Sequence, residues 1–162
     1  LKWCNKQQAT VLFDSREKGW HKGSKEFEDA VLHHAHLALV VTDMDGNIFG
    51  GYTSVPVEKA GEWVNDPSAF VFSLESNGRL PEPAMFKMQA QNGNHAVVIY
   101  NEYSDFLFQW GAGFDILVAR PDHSVDCNSV TNASSFGYGS IPSPLTGSTS
   151  FIPSRIVALE LS

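Results

Sequence analysis

The stretch Asp43–Val57, DMDGNIFGGYTSVPV, constrains the fold of this chain more than any other. It follows a dense apolar run, Leu37-Ala38-Leu39-Val40-Val41, and enters a second through Ile48 and Phe49. Between them Asp45-Gly46 supplies residue types that tolerate a positive φ, which a tight hairpin turn demands. Two paired apolar strands are expected here, with Gly46 in the turn. Gly50-Gly51 falls inside the second strand, where glycine marks a bend or a close backbone approach. Gly46, Gly50 and Gly51 are therefore assigned structural roles.

The same strand-and-turn rhythm runs through most of the chain. Ala9–Phe13 reads as a short strand. Ser24–His34 reads as a helix, with Ser24 as its cap, acids in its first turn, and Phe27, Ala30 and Val31 on one buried stripe. After the hairpin come Ser68–Leu74, whose alternation places Phe70, Phe72 and Leu74 on one face, and a half-buried strand around Met85–Ala90. His95–Tyr100, Phe106–Trp110 and Phe114–Ala119 follow. Ser, Thr, Asn, Gly and Pro dominate Pro121 to Pro153, so a long surface excursion is expected there. Arg155–Leu161 ends the chain as a strand paired inside a sheet. About eight to ten short strands and one clear helix predict a mainly β (α+β) fold, two antiparallel sheets packed as a β-sandwich with one or two flanking helices.

Composition narrows the function classes. A 162-residue chain is long enough for one domain with its own core. The net charge of −7 and the absence of a Lys/Arg cluster argue against nucleic acid. The longest apolar runs are about five residues, well short of the roughly 20 of a membrane-spanning helix. The first residues have no signal-peptide pattern, and the missing initial Met suggests a piece of a longer protein. Cys4 and Cys127 lie far apart; a disulfide is possible, but two cysteines make no framework and reduced cytosolic thiols fit better. The sequon Asn132-Ala133-Ser134 is short enough to arise by chance.

Each chemical motif has a simpler reading. His33, His34 and His36 would need convergent ligands to hold zinc, and His33 and His36 share a face only if the helix continues. Asp43-Met44-Asp45-Gly46-Asn47 begins like a calcium loop, but its glycine comes fourth rather than sixth and strands flank it. Gly111-Ala112-Gly113 lacks the Lys-Ser/Thr and the helix of a phosphate loop, and is read as a bend between strands. Asp126 beside Cys127 disfavours a thiolate, although His123 is near in sequence. Glu26/Glu28 and Glu58/Glu62 read as solvated helix-face acids. Trp63, Trp110 and Tyr138 could stack on a sugar if exposed, though sandwich aromatics are usually core. No catalytic, cofactor-binding or metal residue is assigned.

The hairpin core Ile48-Phe49-Gly50-Gly51-Tyr52-Thr53 resembles the IFGGY or IFGAY core of the TLDc domain. The order of the surrounding features agrees: VLFDSREKGW, a helix with buried aromatics, LALVVTDMDGNIFGGYTSVPV, WVNDPSAFVFSL, WGAGFDILV, HSVDCNSVTNASSFG and the closing RIVALEL. Together these cover Thr10 to Leu161. Ala158 and Leu159 stand where the family often carries an aromatic, and Gly137 to Ser150 looks inserted or diverged. Relatives of this look occur in protists, attached to varied partner modules. The resemblance implies a two-sheet β-sandwich with flanking helices and a non-enzymatic, intracellular, cytoplasmic class of protein linked to oxidative-stress protection. Several members bind the vacuolar proton-pumping ATPase and regulate its assembly, so a V-ATPase subunit is the implied protein partner. The family has no agreed catalytic mechanism and no cofactor. A direct antioxidant or redox enzyme using the two cysteines, and a carbohydrate- or ligand-binding sandwich, are the alternatives.

Overall fold

The computed structural model describes residues 3–124 and 128–162. Its strands and α-helix are β1 (Ala9–Asp14), α1 (Glu26–Val31), β2 (Leu37–Asp43), β3 (Ile48–Thr53), β4 (Phe70–Glu75), β5 (Ala84–Lys87), β6 (Val97–Ile99), β7 (Phe106–Trp110), β8 (Ile116–Ala119), β9 (Ser129–Val130), β10 (Ser150–Phe151) and β11 (Pro153–Leu161), with a short 3-10 helix, Ala90–His95, between β5 and β6. A six-stranded antiparallel sheet runs β1-β11-β2-β3-β4-β5, and a five-stranded one runs β10-β9-β8-β7-β6. This is the expected mainly β, two-sheet arrangement. The closing strand β11 lies between β1 and β2, as its pattern foretold.

Between the sheets lies the main core. Leu39, Val41, Phe49, Val71 and Ile156 from the larger sheet meet Leu107, Trp110, Ile116 and Val118 from the smaller. Helix α1 closes one end: Phe27 is fully buried, edge-on to Phe13 at 5.1 Å and stacked on Phe108 at 5.7 Å. A ring bridging both sheets in this way makes a helix of 6 residues useful despite its length. Its isolated stability would be negligible.

Two expectations change. The helix spans Glu26–Val31 rather than Ser24–His34. Ser24 donates its hydroxyl to the Gly19 carbonyl at 3.0 Å and accepts only a long 3.4 Å bond from Glu26 N–H. At the other end His33 enters the left-handed region at φ 68, and its N–H donates to the Val57 carbonyl at 2.8 Å. A tertiary bond thus replaces the next helical one.

The Pro121–Pro153 segment is also more than a surface excursion. It supplies β9 and β10 and buries Phe136, Tyr138, Leu145 and Phe151. Polar contacts, invisible to apolar periodicity, hold it down. The Asp115 carboxylate accepts N–H bonds from Ser134, Ser135 and Phe136 and the Tyr138 hydroxyl. The Thr131 and Thr146 hydroxyls, 3.1 Å apart, tie its two limbs together.

At the outer edge Arg155 grips Asp14 with two donors, Nε at 3.1 Å and Nη2. That side-chain bond, helped by the Arg16 N–H, holds the Asp14 carboxyl down from its ordinary 3.8 to about 2. A carboxyl with a depressed folded-state pKa contributes stability above its unfolded value and loses it as pH falls through the folded one. Wild-type melting temperature should therefore fall between about pH 4 and about pH 2 partly through this pair. Arg155→Met should flatten that part of the acid curve. Superimposable acid profiles would remove the pair from the account.

Candidate docking surfaces

Two surfaces stand out, one at the end of the larger sheet and one across its outer face. The first begins with the β2–β3 turn. Asp43, buried to 3% exposure, uses one carboxylate oxygen to accept N–H bonds from Asp45 (3.0 Å) and Asn47 (2.9 Å). Its other oxygen accepts the Asn47 side-chain amide at 2.7 Å. Gly46 occupies φ +86, where a side chain would be strained but would meet nothing within 4 Å. The Asn47 amide oxygen in turn accepts Asn77 Nδ2 at 2.9 Å and Arg79 Nη2 at 2.6 Å, and Arg79 also donates to the Leu145 carbonyl. The turn is thereby rigid. Beside it the Met44 N–H donates to the Ile152 carbonyl at 2.9 Å. These two side chains are 68% and 69% exposed, a paired apolar knuckle on a fixed backbone.

Behind Ile152 opens a cleft of about 210 Å³ bordered by Trp20, Arg120, His123, Ser129 and Pro153. Arg120 is 1% exposed and donates to the carbonyls of Trp20, His21 and Asn101. Burial lowers its pKa, with the charges of Asp122, Glu28 and Glu102 working the other way. An arginine in this setting stays charged. Its three carbonyl contacts make it a clasp between the smaller sheet and the chain preceding α1.

The second surface is the outer face of the larger sheet. An exposed sheet face in a sandwich ordinarily alternates to polar. Here Ala38, Tyr52, Phe70, Phe72 and Leu161 form a second buried apolar cluster, with Val40, Met85 and Leu159 packed on it. Trp3 lies across them, edge-on to Phe70 at 6.4 Å and tilted over Phe72 at 6.1 Å. It separates two hollows. The inner one, about 80 Å³, is walled by Ala38, Val40, Tyr52, Phe72, Leu74 and Leu159 and exposes no polar atom. The other, about 500 Å³, runs past Cys4, Ser54, Ser68, Phe70 and Met85 to Lys87.

The two glycines of the hairpin shape both faces. Gly51 points inward, and a Cβ there would sit 2.3 Å from the Trp110 ring. Gly50 points outward, where a Cβ would lie 2.0 Å from the Leu39 carbonyl oxygen and 2.9 Å from the Phe72 ring. Adjacent glycines thus admit one aromatic ring on each side of the sheet.

The family model of the TLDc domain matches residues 1–154. This chain belongs to the TLDc domain family. No curated protein matches it. Within this TLDc domain the described residues contain no helix long and apolar enough to cross a membrane.

The sequence candidates scatter. The three histidines turn to three partners: His33 to Glu58 at 2.9 Å, His34 to Glu160 at 3.0 Å and His36 to the Tyr52 hydroxyl at 2.8 Å. With α1 ending at Val31, His33 and His36 share no helix face. Glu26 accepts the Gly19 N–H, whereas one Glu28 oxygen is buried without a hydrogen-bond partner among the described residues. Glu58 and Glu62 lie on a loop, not a helix, and Glu62 pairs with Lys59 at 2.9 Å. Gly111 and Gly113 make room for side chains: added Cβ atoms would fall 2.1 Å from Asp115 Oδ1 and 2.2 Å from Ser134 Oγ. Trp110 is fully buried and Tyr138 is 6% exposed, so neither can serve as a stacking platform. Trp63 is half-buried, edge-on to His95 at 5.2 Å. Cys4 borders the larger hollow, and Cys127 lies outside the described residues.

Sequence reasoning missed Trp3, Lys87 and the Met44–Ile152 pair as surface features. Only Phe70, Phe72 and Leu74 gave a signal, and alternation told that they share a face without telling which one.

Proposed function

We propose that this TLDc domain is a non-enzymatic interaction module that docks on a protein partner through the Met44–Ile152 knuckle. The observation supporting this reading is the pair itself: two large apolar side chains, each about two-thirds exposed, mounted on a turn locked by Asp43, Asn47 and Arg79. Methionine adapts to a partner's contours, and a rigid mount spares the ordering cost of binding. Family resemblance names the partner class as a subunit of the vacuolar proton-pumping ATPase, in a cytoplasmic, oxidative-stress setting.

The Met44→Asp/Ile152→Asp double variant tests the reading. Both side chains are already in water, so folding stability should move by no more than about 1 kcal/mol. Capture of the soluble sector of the ATPase by purified protein should drop at least about tenfold, since charged groups at a desolvated contact are costly. Equal capture by variant and wild type would refute the knuckle as the docking point, and absence of capture by wild type would refute the partner.

A further inference from the structure

We infer that Met44 is a modification site that switches the knuckle off: a peroxide oxidises its thioether to the sulfoxide, and the docked partner is released. The inference rests on the docking reading above and concerns how that contact is broken. The chain holds three methionines, in three different settings. Met44 is 68% exposed on the β2–β3 turn. Met85, on β5, is half-buried and packs on the apolar cluster of the outer face. Met88 is 7% exposed and belongs to the main core. A dissolved peroxide therefore reaches the Met44 sulfur first.

In the oxidation step a lone pair on Met44 Sδ attacks one oxygen of hydrogen peroxide. An S–O bond forms as the O–O bond breaks, and the proton of the attacked oxygen passes to the departing one, which leaves as water. Sulfur loses two electrons and the peroxide takes up the same two, so no further reactant is needed. The fold tolerates the product at Met44. The turn is fixed by the Asp43 carboxylate, the Asn47 amide, Arg79 and the Met44 N–H, which donates to the Ile152 carbonyl at 2.9 Å. These bonds do not pass through the thioether, so the mount survives while the surface it carries changes. Oxygen added at Met88 would instead enter the main core and disturb packing. A sulfoxide oxygen is a strong acceptor, and the neighbouring Ile152 side chain offers it only hydrocarbon. In the free protein water satisfies that oxygen, so the penalty falls on the docked state alone. Exposure and a locked backbone, which make Met44 a ready contact, also make it a contact that can be cancelled without unfolding the domain.

Graded hydrogen peroxide on the whole chain tests this, followed by dithiothreitol, which returns disulfides and sulfenic acids to thiols but leaves a methionine sulfoxide in place. That step removes reversible oxidation of Cys4, half-buried beside the larger hollow, from the result. Peptide mass mapping should find the sulfoxide at Met44 at a peroxide dose about tenfold below that needed for Met88, with the melting temperature unchanged. Capture of the soluble sector of the ATPase should fall about tenfold in the same sample and return after treatment with methionine sulfoxide reductases. Met44→Leu, apolar and of similar volume, should keep capture within about threefold and make it indifferent to peroxide. Met44→Gln, which carries a permanent polar oxygen, should lower capture about tenfold with no peroxide added. Oxidation of Met85 or Met88 as early as Met44 would overturn the inference, as would Met44→Leu losing capture at the wild-type dose. Capture that survives full conversion of Met44 to the sulfoxide would overturn the switch alone. Absence of capture by reduced wild type would overturn the switch together with the docking reading, so the two failures are told apart.

Discussion

Gly51→Val should destabilise the fold by more than about 3 kcal/mol, the upper range for overpacking a filled core. A Cβ at this position falls 2.3 Å from one ring atom of Trp110 and 2.4 Å from another, inside any permitted contact. The ring cannot retreat. Trp110 is fully buried, and its strand is paired on both sides, with β6 and β8. Nor can β3 move away, because Gly51 lies between Leu39 on β2 and Val71 on β4 in register. The collision therefore spreads into the separation of the sheets. Valine adds two methyl groups to that clash, and Gly51→Ala should already show most of the loss. Gly46→Ala provides the comparison: it strains a φ of +86 but meets no atom within 4 Å, so it should cost only about 1–2 kcal/mol. Chemical denaturation of the three variants checks the order. A Gly51→Val protein as stable as Gly46→Ala would mean that the sheets yield where the packing says they cannot.

That contrast also marks what was readable in the chain. Asp45-Gly46 between apolar runs announced its hairpin because turn chemistry is local: Asp43, two residues before Asp45, accepts the N–H bonds of Asp45, Gly46 and Asn47. The role of Gly51 was only half legible. Glycine inside a strand signalled a close approach, but its neighbour, Trp110, is 59 positions further on, in the other sheet. The helix was read too long for a similar reason, since the His33 to Val57 bond that ends it is not encoded in local spacing.

The docking surfaces were less legible still. Period-two alternation grouped Phe70, Phe72 and Leu74 correctly, yet on a strand both faces can be apolar, and pattern alone cannot say which one faces the other sheet. Trp3 offered no signal, being a single aromatic ahead of the first strand. Met44 was read as part of a turn, and Ile152 as part of a polar excursion. Only the fold sets them side by side.

Asp115→Ala should be the second severe substitution, costing about 4 kcal/mol or more, because one change leaves four donors without their acceptor. The Asp115 carboxylate is fully buried and accepts the N–H groups of Ser134, Ser135 and Phe136 and the Tyr138 hydroxyl at distances from 2.9 to 3.3 Å. Among the described residues it has no salt-bridge partner, so those donors carry the whole task of replacing water around a charge. Burial, followed by the Asp115 charge, raises the Tyr138 phenol well above its usual 10, which keeps it a donor at any ordinary pH. Tyr138→Phe removes only one of the four bonds and should cost about 1 kcal/mol, the net worth of a single hydrogen bond. The distinction separates two accounts of residues 121–153. If that segment were a surface excursion, neither substitution would matter much, and proteolysis would cut it in wild type and variant alike. If the carboxylate is its anchor, Asp115→Ala should release Phe136 and Leu145 from the core and open the segment to protease well below the global unfolding temperature. Unchanged stability and unchanged cleavage in Asp115→Ala would return the segment to the surface.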